Sequence, residues 1–315
     1  MITNLNLSLS SACVANCIMC PTDRGRRIKK KHMSFETVKK IIDEVASPEF
    51  KEDHCIKKVQ LGENGDCFLN PDILKISIYI REKLPNVFIE VFTNFFNFSS
   101  RLSKIFISKN LIDSVWCNID GKDEANYYHV KGLDIKRTMR NLANFVNCRS
   151  AYGSNIILSI RVATLNDYIT KIHDNFGFYP SKLKDKSLIN IPDDYEQIKK
   201  KVKIFLRPRS DGVARNKIFG WAERKSILKA KISTKGLKCP LINMIETSIF
   251  LAPDGSWYAC CRDSNNELVF GNVHEKSLKE IYSGLRRKNF LTKIKNSRFD
   301  KIKGPCKTVP GCITL

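Results

Sequence analysis

Three cysteines stand within eight residues near the start of the chain, in CVANCIMC, at Cys13, Cys17 and Cys20. Three thiolates on one short loop form a soft donor set that selects zinc, copper(I) or an iron–sulfur cluster. Structural zinc needs a fourth ligand and usually arrives as paired C-x2-C units. Here the first gap is three residues, and His32 lies twelve residues past Cys20. A [4Fe–4S] cluster held by three cysteines leaves one iron open for a non-protein ligand, which gives this spacing a chemical purpose. A second group, Cys239, Cys260, Cys261, Cys306 and Cys312, occupies the last quarter of the chain. Cys55, Cys67, Cys117 and Cys148 are scattered between them and read as small hydrophobes.

Elements must position these groups. Period-2 and continuous apolar runs alternate with period-3.6 stretches. ITNLNLSLS reads as a first strand, with the cysteine loop directly after it. Further strands are expected in CIKKVQLGEN, VFIEVFTNF, IDSVWCNID, NIILSIRVATL and VKIFLRPR. Between them SFETVKKIIDEVASPEF reads as a helix capped by Ser34, and PDILKISIYIREKL, SRLSKIFISK and LDIKRTMRNLANFVNC also read as helices. Six such units predict an α/β fold, a partial (β/α)6 barrel with a parallel sheet, since eight would be needed to close it. Chemistry in such folds gathers at the C-terminal ends of strands. The barrel is assigned to residues 1–210, a linker to 211–238 and a small α+β extension to 239–315. In the extension, TSIFLAPDGSWYACC predicts a hairpin turning at Asp254-Gly255, and SLKEIYSGLRRKNFLTKI a single helix with a Ser277/Glu280 capping box.

Composition narrows the class. The chain has 315 residues, 43% hydrophobic and 27% charged, enough to bury a substantial core. No run of eighteen apolar residues appears and the first twelve residues carry no secretion signal, so no membrane partner and a cytoplasmic location with reduced thiols are expected. The net charge of +22 attracts anions, among them acidic electron-transfer proteins and acidic peptides. A basic nucleic-acid-binding protein with zinc knuckles is a remote alternative. Its lysines are dispersed, with no aromatic-flanked basic motif, which argues against nucleic acid as the partner.

CxxxCxxC after an N-terminal strand resembles the signature of the radical S-adenosylmethionine superfamily. The resemblance implies that Cys13, Cys17 and Cys20 hold a [4Fe–4S] cluster whose open iron binds S-adenosylmethionine. Reduction then releases a 5′-deoxyadenosyl radical that takes a hydrogen atom from substrate, and an electron donor such as flavodoxin or ferredoxin is implied. LGENGDCFLNP resembles the family's glycine-rich stretch, with Gly65 and Asp66 as cofactor-binding residues and Cys67 where proline is usual. Thr93 and Asn94 resemble a Thr-Asn-Gly, with Phe95 in place of the glycine. Asp120 and Gly121, followed by YYHVKG at 127–132, resemble a further strand-end motif, and Ser159, Arg161 and Asn166 complete the cofactor set that the resemblance implies.

C-x15-G-x4-C from Cys239, with Cys306 and Cys312 beyond, resembles a truncated SPASM or twitch extension. It implies an auxiliary [4Fe–4S] cluster on Cys239, Cys260, Cys306 and Cys312, four-thiolate zinc being the other reading of the same donors. The activity implied is an oxidoreductase, a two-electron oxidation of a sugar- or aminocyclitol-like metabolite with the auxiliary cluster taking the second electron. The alternative is a peptide- or protein-modifying maturase; only twelve residues precede Cys13, too few for a leader-peptide-binding domain in front. Asp263 is the candidate catalytic base, with His129 and His274 behind it, and Arg207 and Arg209 could grip an anionic substrate.

Overall fold

A computed structural model describes residues 1–17, 20, 31–119, 124–161, 202–205, 238–263, 265–302 and 306. The strands in chain order are β1 (Asn4–Leu7), β2 (Lys58–Leu61), β3 (Phe88–Thr93), β4 (Ser114–Asn118), β5 (Ile157–Arg161), β6 (Val202–Phe205), β7 (Ser248–Leu251), β8 (Ser256–Tyr258) and β9 (Val269–Asn272). The helices are α1 (Phe35–Ala46), α2 (Pro48–Lys51), α3 (Ile73–Lys83), α4 (Ser100–Ser108), α5 (Glu124–Lys131), α6 (Ile135–Ala151), α7 (Ile242–Thr247), α8 (Leu278–Ser283) and α9 (Leu285–Lys295). The chain divides into two compact units, Met1–Ala12 with Cys20–Val87 and Asn216–Leu315, and Cys13–Met19 with Phe88–Arg215.

In the first unit β1 runs parallel to both β2 and β7, with Leu5 opposite Val59 and Ile249. β8 and β9 continue the sheet antiparallel, giving the order β2-β1-β7-β8-β9. Leu5, Leu7, Val59, Leu61, Ile249 and Leu251 are fully buried, and each such side chain contributes about 1.5–3 kcal/mol. The Ser34 hydroxyl accepts from Thr37 N at 3.1 Å and starts α1, which packs on α3. Val38, Ile41, Ile42 and Val45 of α1 repeat at helical spacing and are buried.

The expected hairpin forms at Asp254-Gly255. Gly255 has φ +80, and a Cβ there would lie 2.9 Å from Val273 Cγ2, so conformation and space both call for glycine. The single helix expected after Ser277 is two. Gly284 adopts φ −66, ψ 148 and separates α8 from α9, while the Ser277/Glu280 capping box forms as expected. A Cβ at 284 would meet the carbonyl oxygens of Glu280 and Ile281 at 3.2 Å, tighter than an ordinary contact.

In the second unit β3, β4, β5 and β6 are consecutive parallel neighbours. Val91, Val115, Cys117 and Leu158 are buried on one face. By alternation Phe92, Trp116, Asn118 and Ser159 point to the other. α4 packs on α6, and Phe95, Phe98, Phe106 and Phe145 form a buried aromatic cluster. The sequence reading has no helix where α5 lies. EANYYHVK has little apolar periodicity; α5 is held by fully buried Tyr127, whose hydroxyl meets Thr138 Oγ1 at 3.3 Å, and ends at Gly132 with φ +65.

Candidate functional site: the cysteine loop and the strand ends

The segment entering the cysteine loop is fixed by backbone contacts within the first unit. Gly62 N donates to Leu7 O at 3.2 Å, and Asp66 N to Ala12 O at 2.9 Å. A Cβ on Gly65 would sit 2.2 Å from Ser10 O and 2.6 Å from Ala12 O, which no side chain could survive without displacing backbone. The close approach at Gly65 is thus to the protein's own chain. Asp66 is buried, and its Oδ1 accepts from Phe68 N at 3.1 Å, capping the short 3-10 turn Cys67–Leu69. Asn70 Nδ2 donates to Leu9 O and Met33 O, both at 2.8 Å, tying β1's exit to the chain that enters α1.

The loop itself, Cys13–Met19, belongs to the second unit. Asn16 N donates to Lys131 O at 2.7 Å, so the last carbonyls of α5 carry the loop. This accounts for YYHVKG: its glycine ends α5, and a Cβ there would press on Asn16 Cβ at 3.2 Å. Asn94, at the end of β3, donates from Nδ2 to Cys13 Sγ at 3.6 Å. Thr93 Oγ1 accepts from Phe95 N at 3.1 Å, and Phe95 takes φ 61, the left-handed conformation that glycine adopts most easily. Cys13, Cys17 and Cys20 are each half-buried.

In the neighbouring strands, Ser159 Oγ in the middle of β5 and Asn118 Oδ1 at the end of β4 are buried with no hydrogen-bond partner among the described residues. Orphaned buried oxygens are costly unless something else satisfies them. They lie on one face of β4 and β5, beside Phe92 and Trp116, whose rings stack at 5.7 Å and 7°. Trp116 Nε1 donates to Glu90 Oε2 at 2.6 Å. Arg161 ends β5 opposite Asn118. Asp120, Gly121, Asn166, Arg207, Arg209 and Cys312 lie outside the described residues. Sequence reasoning missed Asn118, Phe92 and Trp116; the alternation Val115-Trp116-Cys117-Asn118 in IDSVWCNID was the signal that could have found them.

In the C-terminal part, Cys239 precedes α7 and is half-buried, its thiol pushed up by burial. Cys260 and Cys261 follow β8, the first buried and the second half-buried, and Cys306 is half-buried. Asp263 is 1% exposed, with Oδ1 accepting from Glu267 N at 2.9 Å and Oδ2 from Leu268 N at 2.8 Å. Both oxygens therefore shape the loop between β8 and β9. His129 and His274 are exposed. The described cysteines form no disulfide, and among the described residues no three His, Cys, Asp or Glu side chains converge to hold a metal ion. Of the scattered cysteines Cys67 and Cys117 are core residues, the Cys67 thiol pushed far up by burial, whereas Cys55 is exposed. No helix among the described residues is long and apolar enough to cross a membrane.

The donor chemistry fits the implied groups. A soft thiolate loop with an N–H aimed at one sulfur suits an iron–sulfur cluster. Unsatisfied Ser159 and Asn118 oxygens on one face of β4 and β5 suit a ligand bearing hydroxyl or ammonium groups.

Comparison with known proteins bears on the C-terminal part and on the fold. Residues 239–312, bounded by the first and last cysteines of the proposed auxiliary set, match SPASM, an iron–sulfur cluster-binding domain. The crystal structure of BtrN in complex with AdoMet and 2-DOIA is similar over 100% of this chain and 94% of its own, at 13% identity and TM-score 0.56. Native anSMEcpe with bound AdoMet and Cp18Cys peptide is similar over 99% and 88%, at 15% identity and TM-score 0.56. Streptococcus suis SuiB is similar over 100% and 78%, at 15% identity and TM-score 0.60. No curated protein sequence matches the chain. These likenesses show the fold, an α/β architecture built on mostly parallel strands. The SPASM match is confined to the C-terminal part, residues 239–312.

Proposed function

We propose that the chain is a radical S-adenosylmethionine oxidoreductase acting on a sugar- or aminocyclitol-like metabolite. Bound at Cys13, Cys17 and Cys20, the first [4Fe–4S] cluster would supply the electron that cleaves S-adenosylmethionine to a 5′-deoxyadenosyl radical, and the auxiliary cluster on Cys239, Cys260, Cys306 and Cys312 would accept an electron in a net two-electron oxidation. The protein's own part is binding, orientation and exclusion of side reactions. Lys131, through Asn16 N, and Asn94 hold the loop, and Ser159 remains assigned to S-adenosylmethionine together with Asp66, Thr93, Asp120, Arg161 and Asn166, while Gly65 makes room for the chain at Ser10 and Ala12. Asp263, with both oxygens engaged by the loop, serves better as a brace than as a base.

The observation that supports a small ring-shaped substrate is the second unit's sheet face. A stacked Phe92–Trp116 pair beside the unpartnered Asn118 oxygen offers an apolar platform with a hydrogen-bond acceptor at its edge. Incubation with S-adenosylmethionine and C–H-deuterated aminocyclitols or sugars tests this. Deuterium should appear in 5′-deoxyadenosine. Transfer from deuterated cysteine- or serine-containing peptides, with none from the rings, would replace the metabolite by a peptide, the reading that the likeness to peptide-bound anSMEcpe favours.

A further inference from the structure

The turn that ends β3 is more firmly held than a surface turn needs. Phe95 sits in the left-handed region at φ 61 with its ring fully buried against Phe98 and Phe145. Asn141 Nδ2 clamps Phe95 O at 2.8 Å and Phe96 O at 3.0 Å, and Arg137 Nε adds a bond to Phe96 O at 3.1 Å. Strained conformations persist where surrounding contacts over-determine them, and they cluster where a group must be aimed.

The group aimed here is the Asn94 amide. Its Oδ1 accepts from Phe96 N at 2.8 Å. A reversed amide would set its NH2 against that N–H, so the network fixes which end faces which partner. Nδ2 therefore faces the other way, where Cys13 Sγ lies at 3.6 Å. Asn94 is only 9% exposed, so little water competes for the donor.

We propose that Asn94 is a positioning residue that sets the reduction potential of the N-terminal cluster, donating its side-chain N–H to the Cys13 sulfur from a turn locked by Phe95. This rests on Cys13 being a ligand of that cluster. A donor on a ligating sulfur withdraws electron density and favours the reduced, more negative cluster, so it raises the potential. Asn94→Leu deletes the donor. Asn94→Asp keeps the acceptor for Phe96 N and turns an anionic oxygen toward the sulfur.

The test uses the full chain, reconstituted anaerobically and titrated by EPR. The signal followed is the one that changes when S-adenosylmethionine is added, which separates it from the auxiliary cluster. The midpoint should fall in the order wild type, Asn94→Leu, Asn94→Asp. Selective loss of that signal in Asn94→Asp, with the auxiliary signal intact, also supports the proposal, since negative charge has replaced the donor. Unchanged midpoints in both variants overturn it. A wild-type protein without any signal responsive to S-adenosylmethionine refutes the cluster assignment instead.

Discussion

Replacing Phe95 by alanine and by glycine should reverse the usual ranking of those two residues. Both substitutions remove a fully buried ring packed at 5.4 Å from Phe98 and 5.6 Å from Phe145, a loss of about 3–5 kcal/mol. Alanine keeps the left-handed strain of φ 61, which costs a residue with a Cβ about 1–2 kcal/mol. Glycine releases that strain, while its extra freedom in the unfolded chain costs about 0.4–1 kcal/mol. The difference leaves Phe95→Gly about 1 kcal/mol more stable than Phe95→Ala. Urea unfolding of the two full-length variants at equal m-value reads this directly, with a higher midpoint for glycine. A higher midpoint for alanine would refute the strain, and with it the idea that the turn is held against its own preference.

Three other substitutions probe separate supports. Gly65→Ala should cost about 1–3 kcal/mol through overpacking against Ser10 O and Ala12 O, and should lower iron retained at the first cluster; unchanged iron and stability would show that the approach is slack. Gly255→Ala combines strain at φ +80 with contact on Val273 and should cost about 2 kcal/mol, with iron lost from the auxiliary site while the signal responsive to S-adenosylmethionine persists. His54 lies buried between Phe50 and Tyr282, at ring distances of 4.8 and 4.6 Å, and burial lowers its pKa below the ordinary 6.5. The unfolded chain then binds the extra proton more readily, so His54's contribution is full above pH 6.5 and is lost as pH falls from there toward the folded pKa. Urea midpoints at pH 7.5 and 5.5 should drop more in wild type than in His54→Phe, and equal drops would remove His54 as the cause.

Local signals in the sequence carried far. Ser34 and Ser277 cap the helices they were expected to cap, because capping depends on residues within one turn. The Asp254-Gly255 turn follows from one backbone requirement. What stayed hidden is non-local or lacks periodicity. The parallel pairing of β1 with β7 joins Leu5 to Ile249, and nothing in either strand's pattern names its partner. α5 depends on Tyr127 finding Thr138 on another helix. At the site the chemistry-bearing residue types were legible, while their duties were not. Gly65 was expected to admit a ligand, yet its missing Cβ makes room for Ser10 and Ala12. Phe95 in place of a glycine looked like a departure from the family pattern; the backbone keeps the glycine conformation and Asn141 clamps it.

On the proposed function, the first cysteine loop would hold a cluster that cleaves S-adenosylmethionine, and the C-terminal SPASM-like part would hold a second one. Anaerobic purification followed by iron and sulfide analysis should give about eight of each per chain, as two four-iron clusters require. Reduced protein should convert S-adenosylmethionine to 5′-deoxyadenosine, and Cys17→Ala should abolish this while retaining about four irons. Zinc as the sole bound metal, or cleavage unaffected by Cys17→Ala, would contradict the account.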